Sequence, residues 1–301
     1  MKNGKIWQDL NGNDIQAHGG CIINYGGKYY WYGENKGQDN CPGTTRVDVI
    51  GISCYSSDNL VDWKYEGLVL KADKTDEKNP LHTSKVVERP KVLYNSKTNE
   101  FVMFLHLDNA DYNFSHIGIA VCDKPDGEFE LVNVCQPNNH DSQDMTVFAD
   151  DDGSAYLIHT KDRDATINID ELTDDYKSFT GLHMSAMIDQ YREAPAVCKY
   201  EDTYYMVTSG CTCWEANSAL YSKSPDIMSD WRLIENPCVG ENYRLTFNGQ
   251  CSYIFRADGK YYIMLDHWIP DNLQKSGYSI LPIEFENGKM TVAWKDEWMG
   301  I

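Results

Sequence analysis

Positive charge is scarce in this sequence. Lys and Arg number 27 against 46 Asp and Glu, a formal charge of −19. Nucleic acid and anionic membrane both need clustered Lys and Arg to meet phosphate, so neither is expected as a partner. A neutral or cationic ligand fits, and most of the acidic surplus reads as solvated loops that keep the protein dispersed. Long apolar runs are missing as well. No run is long enough to span a bilayer, and Met1-Lys-Asn-Gly-Lys-Ile-Trp has no apolar core of a secretory signal. Metal-type cysteine spacing is absent: Cys211 and Cys213 form a CxC with no second pair or His cluster, which speaks against zinc. Cys21, Cys54, Cys122, Cys198 and Cys251 lie inside apolar runs, where a free thiol acts as a small hydrophobe. The ten cysteines are therefore expected to be unpaired, in a reducing, cytoplasmic setting. No segment keeps a helical period beyond about three turns.

The chain has instead one pattern repeated five times: a polar opener, an apolar pair four and five residues on, a turn, and an aromatic-rich run. The copies are His18-GGCII-NYGGKYYWYG, Glu88-RPKVL-YNSKTNEFVMFL, Asp144-MTVFA-DDDGSAYLI, Glu193-APAVC-KYEDTYYMVTS and Gln250-CSYIF-RADGKYYIML, with openers 70, 56, 49 and 57 residues apart. Gly-containing turns such as Tyr25-Gly26-Gly27-Lys28 and Ala257-Asp258-Gly259-Lys260 read as hairpins, which makes the flanking runs strands. Downstream of each copy comes a third apolar run, and in the first four an aromatic (Trp63, Phe129, Tyr176, Trp231) opens an outer strand and packs the blade. Five β-units at this period predict an all-β, five-bladed propeller formed by residues 1–301 as a single domain. The two ends should meet in or beside the last blade, because an open ring leaves unpaired edges. The polar insertions Lys36–Arg46 and Lys71–Val86 are expected on the face that carries the site.

In a propeller the five openers occupy equivalent places on the innermost strands, so His18, Glu88, Asp144, Glu193 and Gln250 should converge on the axis. A polar plug of the tunnel would use such residues too, but convergent ionisable groups are more often functional. Glu88 and Glu193 share a context, Glu-Arg89-Pro90 and Glu-Ala194-Pro195, and the prolines fix the local backbone. Two carboxyls held close push one pKa up, which suits an acid that protonates a glycosidic oxygen while a second group handles water.

The stretches IQAHGG, YYWYGE, CYSSDNLVDW, ERPKVLYN, SQDMTVFADDDGSAYLI, LTDDY, REAPAV, YYMVTSGCTCW and TFNGQ occur in this order. From about Trp7 to Trp298 they closely resemble glycoside hydrolase family 43, in the branch of exo-β-1,3-galactanases and related galactosidases. The resemblance implies a five-bladed propeller and exo-acting, inverting hydrolysis that releases galactose from β-1,3-linked galactan or arabinogalactan-type side chains. It implies Glu193 as general acid and Asp144 as the residue that sets its pKa and orientation. Where most of the family carries an Asp base this chain has His18, as the galactanase branch does, and in that branch Glu88 and Gln250 complete the axial set. Gln250 resembles the residue thought to handle water as an imidic acid. Plain chemistry prefers Glu88, because an amide is a very poor base unless it tautomerises; both stay open at this point. The chain departs from the branch at Cys213, at His267 and across Asp111-Tyr112-Asn113-Phe114-Ser115-His116, which bears on substrate choice.

Tyr32, Tyr112 and Trp214 are the candidates for a sugar-stacking platform, with His18, Glu34 and Asn217 as further polar contacts. The partner is an oligo- or polysaccharide; the sequence does not set the oligomeric state. No cofactor is required and no metal ligand set is visible, although His18 with water leaves room for a structural cation at the axis. An α-L-arabinofuranosidase or β-xylosidase would use the same scaffold, and a sugar-binding propeller without catalysis is a third reading. The intact REAP and DMT motifs argue against that last one.

Overall fold

The computed structural model describes residues Met1–Ile301. Five sheets radiate from a central axis, and in each the four repeat strands run outward in chain order. Blade one is β1 (His18–Tyr25), β2 (Lys28–Glu34), β3 (Gly51–Ser57) and β4 (Lys64–Lys71). Blade two is β5 (Val86–Asn95), β6 (Glu100–Asp108), β7 (His116–Cys122) and β8 (Glu130–Cys135). Blade three is β9 (Met145–Ala149), β10 (Ala155–Lys161), β11 (Thr166–Leu172) and β12 (Phe179–Ala186). Blade four is β13 (Arg192–Tyr200), β14 (Thr203–Gly210), β15 (Leu220–Ser224) and β16 (Arg232–Glu235). The last blade holds β17 (Cys238–Val239), β18 (Gln250–Ala257), β19 (Lys260–His267), β20 (Gly277–Glu286) and β21 (Lys289–Ala293). β17 pairs parallel to β21 on the outer edge of that blade, a strand the repeat gave no sign of. The inner strands β1, β5, β9, β13 and β18 touch in a closed circuit. The chain is the five-bladed β-propeller that the repeat predicts.

Sequence alternation is weak because the strands are covered on both faces, as in any stack of sheets. On β6, Phe101, Met103, Leu105 and Leu107 face blade one while Val102 and Phe104 face blade three. The apolar residues accordingly divide into five clusters, one between each pair of neighbouring blades. Cys21 and Cys54 belong to one of these and Cys198, Cys238 and Cys251 to another, and all ten cysteines are free thiols. Leu105 is fully buried. Leu105→Ala should cost about 2–5 kcal/mol through lost burial and an unfilled cavity, read as a lower urea midpoint at unchanged slope. A loss below about 1 kcal/mol would show that this face is not close-packed.

The ring closes where blade five meets blade one. The Met1 amino group donates to the Trp298 carbonyl, Asn3 N–H to Asp296, and Lys5 pairs with Tyr278. Behind them Trp31 makes edge contacts with Trp63, Tyr278 and Trp7 at ring-centre distances of 5.3, 4.8 and 6.0 Å. The C-terminal strand is shorter than the amphipathic run over 290–298 suggests, ending at Ala293.

Candidate active site

The mouth of the tunnel carrying the openers is shaped by breaks in the inner strands. Pairing shifts register just after His18, Glu88 and Glu193, and the next residues, Gly19, Arg89 and Ala194, take left-handed backbone with φ of 57°, 53° and 50°. Such bulges re-aim side chains, and proline is tolerated there because no ladder bond is lost, which places Pro90 and Pro195. For Arg89 and Ala194 the left-handed backbone costs on the order of 1–3 kcal/mol each and persists only if held. It is held the same way each time. Gly19 N–H donates to Asp266 Oδ2, Arg89 N–H to Glu34 Oε1 and Ala194 N–H to Asp144 Oδ2, all at 3.0 Å. Each carboxylate comes from the preceding blade, so three blade junctions are clasped at the axis by backbone donors.

Above the clasps lies a cavity of about 350 Å³ lined by Glu34, Lys36, Glu88, Arg89, His106, Tyr112, Gln143, Asp144, Asp164, Glu193, Cys213, Trp214, Gln250 and Trp268. Four of the five openers are here, with Glu34, Tyr112 and Trp214. The repeat's apolar pairs line a separate cavity of about 660 Å³, so its two halves mark two different parts of the tunnel. Three expected contacts are placed elsewhere. His18 is fully buried behind Trp268; Nδ1 lies 3.3 Å from Asp266 Oδ1 and Nε2 3.0 Å from the Tyr278 hydroxyl, so neither nitrogen is free for substrate or a cation. Tyr32 is buried between blades one and two, its hydroxyl donating to the Pro125 carbonyl, because its side of β2 faces blade two. Asn217 braces a loop: Oδ1 accepts from Gly210 N–H and Nδ2 donates to Gly210 O and Thr212 Oγ1; it lines only a neighbouring cavity of about 260 Å³.

Two residues the sequence reading passed over organise the pocket. Arg89 donates from Nε to Asp144 at 2.9 Å and from Nη2 to the Gln250 amide oxygen at 2.8 Å. Trp268 donates to that same oxygen at 3.0 Å and meets Trp214 edge-on, ring centres 5.3 Å apart, which makes an aromatic wall. Trp214 is steadied by Thr45 from the first insertion, and Lys36 of that insertion pairs with Glu34 at 2.8 Å. The first insertion thus lies on the site face, as expected.

Gln250 is fixed as an amide. Its oxygen receives two donors, and its nitrogen donates to Glu193 Oε1 at 2.9 Å and Ser209 Oγ at 3.2 Å. A hydroxyl proton on that oxygen would meet two N–H groups, so the imidic form is disfavoured. The bond from Gln250 also occupies Oε1 of Glu193, which leaves its other oxygen to carry a proton. Burial, with the nearby charge of Asp144 and less of Asp164, raises the Glu193 carboxyl to about 8 against the pull of Arg89. Burial would raise Glu88 too, but the His106 imidazole and the charges of Lys36 and Arg89 outweigh it and hold Glu88 down to about 2. The site therefore separates one protonated from one ionised carboxyl, the division of labour that acid–base chemistry needs. No group of three or more His, Cys, Asp or Glu side chains stands in metal-binding geometry.

The family model for glycosyl hydrolases family 43 matches residues 20–290. The chain belongs to this family. It is a glycoside hydrolase. Its fold is shared with a family 43 β-1,3-galactosidase solved with galactodeoxynojirimycin, at TM-score 0.93 and 34% identity, over 99% of both chains. It is also similar to an exo-β-1,3-galactanase from Phanerochaete chrysosporium solved with β-1,3-galactotriose, at TM-score 0.90 and 28% identity, over 98% of this chain and 67% of that one. A third neighbour is an exo-β-1,3-galactanase from Clostridium thermocellum, at TM-score 0.87 and 32% identity, over 98% of this chain and 65% of that one. A comparison with curated protein sequences found no match.

Proposed function

We propose that this family 43 enzyme removes galactose from the end of β-1,3-linked galactan or arabinogalactan-type side chains, with inversion and without a cofactor. The observation that carries the reading is the placing of Glu193 and Glu88 in one small pocket walled by Trp214, Trp268 and Tyr112, where the surroundings push the first carboxyl up and the second down. A cavity of about 350 Å³ suits one or two sugar units, as an exo-acting enzyme requires. The galactose preference is supported by the neighbours' ligands, a galactose-like iminosugar and a β-1,3-galactotriose.

In the reaction Glu193 gives its proton to the glycosidic oxygen as the bond to the anomeric carbon breaks. Water attacks that carbon from the opposite face and loses its proton to Glu88, so the two carboxyls exchange protonation state and product leaves as the α-anomer. Asp144 keeps Glu193 protonated by its charge, Arg89 holds Asp144 and Gln250, and Gln250 aims Glu193. Tyr112 donates to Glu88 Oε1 at 3.1 Å and steadies the base. The test of substrate is a panel of aryl β-galactoside, α-arabinofuranoside and β-xyloside with a β-1,3-galactan. Turnover confined to the arabinofuranoside or xyloside would contradict the proposal.

The pH profile checks the acid. Activity needs the proton on Glu193, so it should fall as pH rises through about 8. Asp144→Asn removes a negative charge that favours protonation, so Glu193 should lose its proton sooner. Its alkaline limb should move to lower pH in kcat/KM, and a limb that stays put or moves up would contradict the role given to Asp144.

A further inference from the structure

His106, the seventh residue of β6, has no place in the opener pattern and touches neither the leaving group nor the attacking water in the mechanism above, yet it lies directly behind Glu88. It is 1% exposed. Its Nδ1 lies 3.5 Å from Glu88 Oε2, an ion-pair contact rather than an aligned hydrogen bond, and its Nε2 lies 3.1 Å from Asp108 Oδ2. Each ring nitrogen thus faces a carboxylate oxygen. A neutral imidazole has one N–H and would set its bare nitrogen against one of the two carboxylates, whereas the imidazolium donates to Asp108 and turns its positive Nδ1 edge to Glu88. Asp108 is anchored to do this. It is 2% exposed, and its oxygens also accept from the N–H groups of Asn109 and Phe114 and from the Ser115 hydroxyl, at 2.8, 2.7 and 2.9 Å. The loop that supplies these donors also supplies Tyr112, whose hydroxyl holds the other oxygen of Glu88.

We propose that His106, held as an imidazolium by Asp108, is the positioning residue that keeps Glu88 ionised and aimed into the pocket. The proposal rests on Glu88 as the water-activating base. Direction agrees with geometry: despite burial, Asp108 and Glu88 raise His106 to about 9. Glu88 is also faced by Lys36 and Arg89, both cationic, and by the neutral Tyr112, while the carboxyls of Glu34, Asp144 and Asp164 line the same cavity. Lys36 is shared with Glu34 and Arg89 with Asp144 and Gln250, so His106 is the cation whose remaining partner is a buried anchor rather than another pocket group.

The experiment compares wild type, His106→Gln and Asp108→Asn with Glu88→Gln and the Glu88→Gln/His106→Gln double variant, on an aryl β-galactoside, over the full pH range. Removing the imidazolium should make Glu88 easier to protonate, so the acid limb of kcat/KM moves up by roughly 1–3 pH units, the effect of an opposite charge at this range, while the alkaline limb from Glu193 stays. Asp108→Asn should move the limb in the same direction, which keeps the test open if one variant folds poorly. In the Glu88→Gln background His106→Gln should cost nothing further, because its effect passes through Glu88. A loss uniform across pH, or one that adds in full to that of Glu88→Gln, would overturn the proposal. Full activity of Glu88→Gln by itself would overturn the underlying reading of Glu88 as base, and is recognised without any His106 variant.

Discussion

Glu193→Gln should turn over β-1,3-linked galactan at least ~10²–10⁴ more slowly than the parent, the span general acid–base catalysis contributes. The amide keeps the shape and accepts the same hydrogen bond from Gln250 at the retained oxygen, but it has no proton to deliver to a sugar leaving group. An aryl galactoside with a low-pKa phenol leaves without that help. Its loss should therefore be much smaller, and the difference between the two substrates is the signature of an acid. Equal losses on both would place Glu193 in binding or folding instead.

Glu88→Gln should give the other signature. Water must be activated whatever the leaving group, so both substrates should fall together, again by about 10²–10⁴. Gln250→Ala provides the contrast. It frees Arg89 and Trp268 and lets Glu193 drift, so it should damage the natural substrate more than the aryl one, as a fault in aiming the acid does. Comparison of kcat/KM for the two variants on both substrates decides the matter. A Gln250→Ala loss that is larger than that of Glu88→Gln, and equal on both substrates, would move water activation to Gln250.

The ring and four of its axial groups were legible because a propeller copies one offset five times. Glu88, Asp144, Glu193 and Gln250 stand at the same distance before an apolar pair, and backbone geometry carries all four to one cavity. His18 obeys the same offset and fails for a local reason. A Cβ at Gly19 would lie 2.4 Å from Glu34 Oε1, so glycine there lets the blade-one carboxylate at the end of β2 occupy the axial space. Tyr32 was misplaced because both faces of β2 are buried, and an aromatic run does not say which face meets a ligand. Arg89 was hidden by the bulge: simple alternation points it away from its neighbour Glu88, whereas a left-handed residue returns it to the axis. Glu-Arg-Pro, a bulky residue caught between a functional acid and a proline, was the available sign. Trp268 and His106 lie just beyond the end of β19 and within β6, outside the inner-strand register, so no spacing argument reached them.

An acid and a base act on opposite faces of one galactose unit in this mechanism, and the anomer first released tests that most directly. Proton NMR of the earliest product from a β-1,3-galacto-oligosaccharide, read before mutarotation, should show α-galactose. Initial release of β-galactose would mean retention, with Glu88 attacking carbon rather than water, and would contradict the mechanism.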